Sequence, residues 1–137
     1  MKVILPMAGN GQRFFDDGYI LPKPLIDING KPMFKRVVDN LRLGDDVQLN
    51  CIVRKDHVDL YEIDKIIKSY YENANIIVAP GLTEGAACTV RLATSMFGGE
   101  PMIVANCDQL MVWNNEKFYK IIEHDLYPGG LIPVFIP

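Results

Sequence analysis

The chain has 137 residues, 49% of them hydrophobic and 23% charged, with a formal net charge of −3; that is room for one domain with a real core and the balance of an ordinary globular protein. A net negative charge argues against a general nucleic-acid binder, which normally carries a basic face, and leaves room for a local basic site that holds a small anion. No apolar run approaches the roughly 18 residues of a membrane span, and the N-terminus lacks a charged-then-apolar signal pattern. Cys51, Cys88 and Cys107 stand too far apart for a zinc motif, so buried reduced thiols in a cytoplasmic protein are expected.

Strand and helix signals alternate along the chain. KVILPM, residues 2–7, is an apolar run that ends at a glycine loop and reads as a buried strand. PMFKRVVDNLRL (32–43) follows as a helix, with Met33, Val37, Val38 and Leu41 on one face and Pro32 at its first turn. VQLNCIV (47–53) is the second strand. HVDLYEIDKIIKSYYEN (57–73) is the clearest helix, because Leu60, Ile63, Ile66, Ile67 and Tyr70 recur at helical spacing between charges.

ANIIVAP (74–80) is a third strand, stopped by Pro80-Gly81. EGAACTVRLATSMF (84–97) predicts a helix of small residues closed by Gly98-Gly99, and PMIVANCD (101–108) a fourth strand. NEKFYKIIEHDL (115–126) adds a helix and GGLIPVFIP (129–137) a last strand. Near-continuous apolar strands alternating with helices imply an α/β fold: a mainly parallel sheet covered on both faces, three layers in all. An apolar strand at the end of the chain would want a partner, so association into a homo-oligomer through it is expected. Residues 1–137 are either a minimal domain or, as expected here, a single domain that forms the front part of a longer fold.

In such sheets ligands bind beyond the carboxyl ends of the strands. Three segments fall there: the glycine loop after the first strand, PGLTEGAA after the third, and NCDQ after the fourth. The loop in VILPMAGNGQRFF has no glycine at Phe14 and no Gly-Lys-Ser/Thr, which excludes the dinucleotide fingerprint and the Walker A loop. Gly9 and Gly11 would let backbone N–H groups approach an anion, and Arg13 would add a forked cation. Taken alone, the stretch reads equally well as a tight turn beside a surface arginine.

Lys23 stands between Pro22 and Pro24, so its backbone is stiff, and a stiff cation near a glycine loop suits charge on a phosphoryl group. Lys31 reads as part of the turn into the first long helix. Asp108 ends an apolar strand on the ligand edge, where a carboxylate is a natural Mg²⁺ ligand beside phosphates or else makes a turn. Asp16 and Asp17 read as a solvated pair. His57 and His124 fall among charged helical residues and receive no catalytic role.

In order and spacing, PMAGNGQRF, LPKPLIDINGKPM, TEGAA and ANCDQ together resemble the nucleotidyltransferase family that includes the sugar-1-phosphate nucleotidylyltransferases. The resemblance spans nearly the whole chain and implies a Rossmann-like α/β/α fold of the nucleotide-diphospho-sugar transferase type. It implies a transfer of NMP from an NTP to a phosphorylated acceptor, such as a sugar 1-phosphate, with release of pyrophosphate, in surface-polysaccharide or nucleotide-sugar synthesis. Ala8, Gly9, Asn10 and Gly11 would bind the triphosphate, Gly85 and Ala86 the base, and Asp108 a Mg²⁺ ion. Arg13 and Lys23 would be the catalytic cations.

PMAG stands where the family more often has LAGG, and no glutamine lies near Pro80 to read a pyrimidine, so base and acceptor stay open. The family's catalytic domain runs on beyond this length, with acceptor residues and a second metal aspartate that have no counterpart here. A nucleotide-binding module without turnover is therefore the alternative expectation.

Overall fold

Alternating apolar residues decide the centre of the fold. In β1 (Lys2–Met7) the side chains of Val3, Leu5 and Met7 enter one core, while Ile4 and the following Ala8 enter another on the opposite face. β2 (Gln48–Arg54) repeats the pattern, with Leu49, Cys51 and Val53 on the first face and Ile52 on the second. In a computed structural model, which describes residues 1–44, 47–96, 98, 100–124 and 129–134, these strands form a sheet with β3 (Asn75–Ala79) and β4 (Met102–Val104). All pairings are parallel and the order is β3-β2-β1-β4.

The register sets Lys2 opposite both Gln48 and Met102, and Asn50 opposite Asn75. Asn50 is fully buried and donates from Nδ2 to the carbonyls of Val3 (3.2 Å) and Gln48 (3.1 Å). Its Oδ1 accepts from Asn75 Nδ2 at 3.3 Å, so a buried amide in the sheet is matched rather than left dry.

Helices cover the sheet on both sides. α2 (Met33–Leu41) buries Phe34, Val37, Val38 and Leu41 in the first core, the i, i+3, i+4, i+7 stripe of an amphipathic helix. Phe34 is fully buried where Met33 was expected, because the inward stripe starts one residue later. α5 (Ala86–Arg91) lies on the other side, where Val90 and Ala93 join Ile4 and Ile52. α6 (Asn115–Glu123) adjoins the end of α2: Tyr119 Oη donates to Leu41 O at 2.9 Å.

Ahead of α2, α1 (Gln12–Asp16) is a short helix that the sequence pattern did not indicate. The expected helix over 57–73 is two helices, α3 (Lys55–Tyr61) and α4 (Ile63–Tyr70), joined at Glu62 with φ 51° and ψ 37°. The cause is phase. His57 and Ile63 are both buried, yet on one straight helix they would point about 120° apart. The left-handed residue resets the phase, turning Ile63 and Ile67 inward and leaving Leu60 73% exposed.

The helix expected over 84–97 is also shorter: α5 stops at Arg91, and a 3₁₀ turn covers Thr94–Met96. Thr94 and Ser95 are weak helix formers, which suits an end to the α-helix before them. Gly99, Asp125 and Leu126 lie outside the described residues. β4 has three residues rather than eight, with Met102 and Val104 half-exposed, as suits an edge strand. Residues 129–134 form no strand; Gly130 has φ 114° and Pro133 offers no N–H, while residues 135–137 lie outside the described part. Cys51 and Cys107 are buried and Cys88 half-buried, all three free.

Two outcomes follow from the α3–α4 corner. Glu62→Gly relieves left-handed strain and should raise the free energy of unfolding by up to about 1 kcal/mol in a denaturant titration, whereas Glu62→Ala should not. The exposed Glu62–Lys65 pair lost with it contributes little. His57 is buried with no hydrogen-bond partner for Nδ1, and burial, assisted by nearby Arg54, holds its pKa below the ordinary 6.5. The unfolded chain therefore takes up the proton first. Stability from this group is complete above about pH 6.5 and falls as the pH drops below it, and His57→Gln should flatten that slope in pH-dependent melts.

Candidate functional site

The strand order reverses at β1: β2 and β3 lie to one side of it and β4 to the other. Loops leaving β1 and β4 must therefore part, and a crevice opens between their carboxyl ends. A cleft of about 300 Å³ lies there, and its walls include Gly9, Asn10, Gly11, Lys23, Gly85, Ala86 and Asp108. These residues come from four separate stretches of chain.

Each is held for a local reason. Gly11 adopts φ 64°, the left-handed backbone a glycine takes without strain, and turns the chain into α1. A Cβ built there would lie 3.4 Å from Lys23 Cβ, so the loop sits directly against the lysine. Lys23 opens a 3₁₀ turn between the buried Pro22 and Pro24, with Leu25 N donating to Pro22 O at 2.8 Å. Its Nζ lies 5.6 Å from the centre of the Phe14 ring and pairs with the Asp108 carboxylate.

Asp108 follows β4 on a short loop in which Cys107 is buried and Asn106 Nδ2 donates to Gln109 Oε1 at 3.0 Å. Burial pushes the Cys107 thiol up to about 11, against a downward pull from Lys23. The thiol lining the cleft is therefore neutral near pH 7, not an activated nucleophile. Lys23 and Asp108 have side chains 26% and 33% exposed, so their pairing is open to exchange with ligands.

Three residues singled out in the sequence have their side chains elsewhere. Ala8 is fully buried and packs with Ile4, Ile52, Ala79 and Ala93, so its methyl group belongs to the core. Arg13 is exposed on α1 and does not line the cleft. Lys31 pairs with Asp39 of α2, away from the cleft.

Thr83, Thr89 and Asn106 do line it, although the sequence reading gave them no role. Thr83 and Asn106 sit inside segments already marked by position. Thr89 gives no sequence signal beyond lying four residues after Gly85.

A larger hollow of about 800 Å³ lies between β4 and α6, lined in part by Ile103, Trp113, Phe118 and Ile122. It contains none of the expected site residues. Among the described residues, no group of three His, Cys, Asp or Glu side chains could hold a metal, and no helix is long and apolar enough to cross a membrane.

No protein-family model and no curated protein matches the chain. Solved structures do. The nucleoside-diphosphate-sugar pyrophosphorylase of Vibrio cholerae RC9 matches 85% of the chain and 52% of its own, with a TM-score of 0.67 and 23% identity. The inositol-1-phosphate CTP transferase of T. maritima matches 90% and 49%, at a TM-score of 0.69 and 15% identity. A UDP-glucose pyrophosphorylase solved with UDP-glucose matches 90% and 53%, at a TM-score of 0.64 and 18% identity. At these identities the likeness is one of fold: a Rossmann-like α/β architecture with an all-parallel sheet, shared with sugar-phosphate nucleotidyltransferases. The chain spans about half the length of each structure it matches.

The glycines separate fold from site. A Cβ at Gly9 or Gly85 would meet nothing within 4 Å, and neither has a left-handed φ. Gly9→Ala and Gly85→Ala should therefore melt within a few degrees of the parent while projecting a methyl group into the cleft and weakening ligand binding. Gly11→Ala should cost about 1–2 kcal/mol from its backbone alone. Melting curves paired with nucleotide titrations would show the split.

Proposed function

We propose that the cleft binds a nucleoside triphosphate and that the chain carries the nucleotide half of a nucleotidyltransferase. The reaction passes NMP to a phosphorylated acceptor such as a sugar 1-phosphate and releases pyrophosphate. The observation that carries this reading is the meeting of Gly9, Gly11, Lys23, Gly85 and Asp108 in one cleft at the β1–β4 switch point. The fold likeness to sugar-phosphate nucleotidyltransferases supports it.

The chemistry is an in-line displacement. An oxygen of the acceptor phosphate attacks the α-phosphorus, a new P–O–P bridge forms, and the bond to the leaving pyrophosphate breaks. Such a reaction asks the protein for positioning and charge stabilisation rather than for a covalent intermediate. Gly9 and Gly11 offer backbone N–H groups to the phosphates at a point where a side chain would intrude. Lys23, stiffened by its prolines, neutralises charge at the α-phosphate, and Arg13 supplies a further cation from α1 beside the loop.

Mg²⁺ fits the donor set. The cleft offers one hard carboxylate, Asp108, and Mg²⁺ is commonly held by one or two carboxylates, several waters and the phosphates of the substrate itself. When bound, it would supply charge neutralisation at the phosphate oxygens. Asp108 would hold it, releasing Lys23 from the ion pair. Base and acceptor are left to experiment.

A second reading is a nucleotide-binding module without turnover, since the cleft residues named here serve the nucleotide and the metal and none is assigned to an acceptor. Thermal-shift measurements with CTP, UTP, dTTP, ATP and GTP plus Mg²⁺, followed by pyrophosphate release with sugar 1-phosphates and phosphocholine, distinguish the two. Binding with pyrophosphate release supports the transferase, binding without release in any mixture supports the module, and no shift with any nucleotide refutes both. In an active preparation Lys23→Ala should lower kcat by about 10²–10³-fold, the usual loss when one positioned charge-stabilising donor is removed. Asp108→Asn should abolish the Mg²⁺ dependence of binding.

A further inference from the structure

Asp108 stands on a stretch of chain with little backbone support. Upstream, Ala105 N donates to Ile4 O at 3.0 Å. From Asn106 to Trp113, no backbone N–H or C=O pairs with the backbone of another described residue. Open space lies on both sides of this stretch. Asn106, Cys107 and Asp108 line the cleft, whereas Asn106, Gln109, Met111 and Trp113 line the hollow of about 800 Å³ between β4 and α6. A loop with so few backbone bonds and room behind it keeps its place only where something pins it.

The pin comes from α2. Asn40, one residue before the end of that helix, donates from Nδ2 to Met111 O at 2.9 Å, and Met111 N donates to Asn40 Oδ1 at 3.0 Å. A backbone N–H only donates and a carbonyl only accepts, so these partners fix which way the amide faces. Met111 is thus held by both of its backbone groups. The neighbouring bonds serve the helix instead. The carbonyls of Asn40 and Leu41 accept from Trp113 Nε1 at 3.2 Å, Asn115 Nδ2 at 3.2 and 3.3 Å, and Tyr119 Oη at 2.9 Å. These side chains satisfy the last carbonyls of α2 and take no hold on the backbone of the Asp108 loop.

We propose that Asn40 is a positioning residue for metal binding in the cleft: by fixing Met111 it holds Asp108, three residues earlier, at the cleft wall. The inference rests on the reading that Asp108 takes Mg²⁺ together with a nucleotide. In the ligand-free chain Lys23 also holds the Asp108 carboxylate. Once a phosphate draws Lys23 away, the backbone of the loop is anchored to Ile4 at one end and to Asn40 at the other. Mg²⁺ demands near-ideal geometry of its ligands, so a loop free to recede toward the hollow would bind it poorly.

The test is calorimetric titration of the full chain with CTP, UTP, dTTP, ATP and GTP, each in Mg²⁺ and again in EDTA. The ratio of the two affinities is the Mg²⁺ gain. Asn40→Ala should lower that gain about 10-fold, the order of loss when a group supporting a metal ligand is removed, and leave the affinity in EDTA unchanged. Asn40→Asp keeps the shape but sets a carboxylate against the Met111 carbonyl; it should lose the gain in the same direction and answers the question should the alanine variant not fold. Tyr119→Phe removes a bond to the same helix end and should lower the melting temperature while keeping the gain. Because Asn40 acts through Asp108, adding Asn40→Ala to Asp108→Asn should cost nothing further.

A Mg²⁺ gain that survives in both Asn40 variants overturns the inference. So does an equal fall in Mg²⁺ and in EDTA, a loss of the gain in Tyr119→Phe, or an additive loss in the double variant. A parent that binds nucleotide with a Mg²⁺ gain untouched by Asp108→Asn overturns it together with the metal role of Asp108. A parent that binds no nucleotide refutes the nucleotide reading itself.

Discussion

β1 is hydrogen-bonded to a parallel strand on each side, and the other parts of the molecule take their places from that arrangement. Val3, Ile4 and Leu5 are at most 1% exposed, so the strand is apolar on both faces, as the middle of a parallel sheet requires. Because crossovers between parallel strands keep one hand, the direction of travel along the sheet fixes where helices go. The chain runs outward from β1 to β2 to β3, which puts α2 and α4 against one face. It then returns past β1 to β4, which puts α5 against the other. The same reversal parts the loops after β1 and β4. Core and cleft are thus two results of one topology, and residues as far apart as Gly9 and Asp108 meet because of it.

Within the cleft the controlling interaction is electrostatic. Lys23 and Asp108 are each other's counter-ion in the ligand-free chain. A fully buried pair would resist opening, because separation strands charges in a poor solvent. This pair is partly solvated and correspondingly weak, as the proposed exchange, a cation onto the carboxylate and a phosphate onto the ammonium, would need. Lys23 keeps its place through such an exchange because its position does not depend on Asp108. Buried Pro22 and Pro24 hold its backbone, and Phe14 lies beside its ammonium group.

The sequence was most informative where burial and period act together. β1, β2, β3 and α2 lie within a residue or two of the runs that predicted them, since alternating or helical apolar spacing has few other uses. The break at Glu62 was not visible, because each half of the 57–73 pattern is helical by itself. Only the demand that His57 and Ile63 both face inward exposes the conflict, and that demand comes from the packing.

The short β4 was overestimated for a related reason: apolar composition does not distinguish a central strand from an edge. For the cleft, the motifs that share a sheet edge in the sequence pattern contribute Gly9, Gly11, Lys23, Gly85 and Asp108 to one lining. Ala8 was included by adjacency, and its burial shows that strand alternation continues one residue past β1. Arg13 shares the loop in sequence but lies on the exposed surface of α1, a helix too short to leave a periodic signal.

Thr89 shows a different limit. A threonine in a helix of small residues has a plain explanation in propensity and packing, and nothing in its neighbours marks it. Its contribution exists only because Gly85, four residues earlier, caps the start of α5, so the hydroxyl returns to the carbonyl of a residue that lines the cleft. The cleft thus sets bare glycine backbone and a pair of opposite charges beside neutral hydroxyls. Contacts made through the Lys23 and Asp108 charges should weaken with salt, whereas those made through the Thr83 and Thr89 hydroxyls should not.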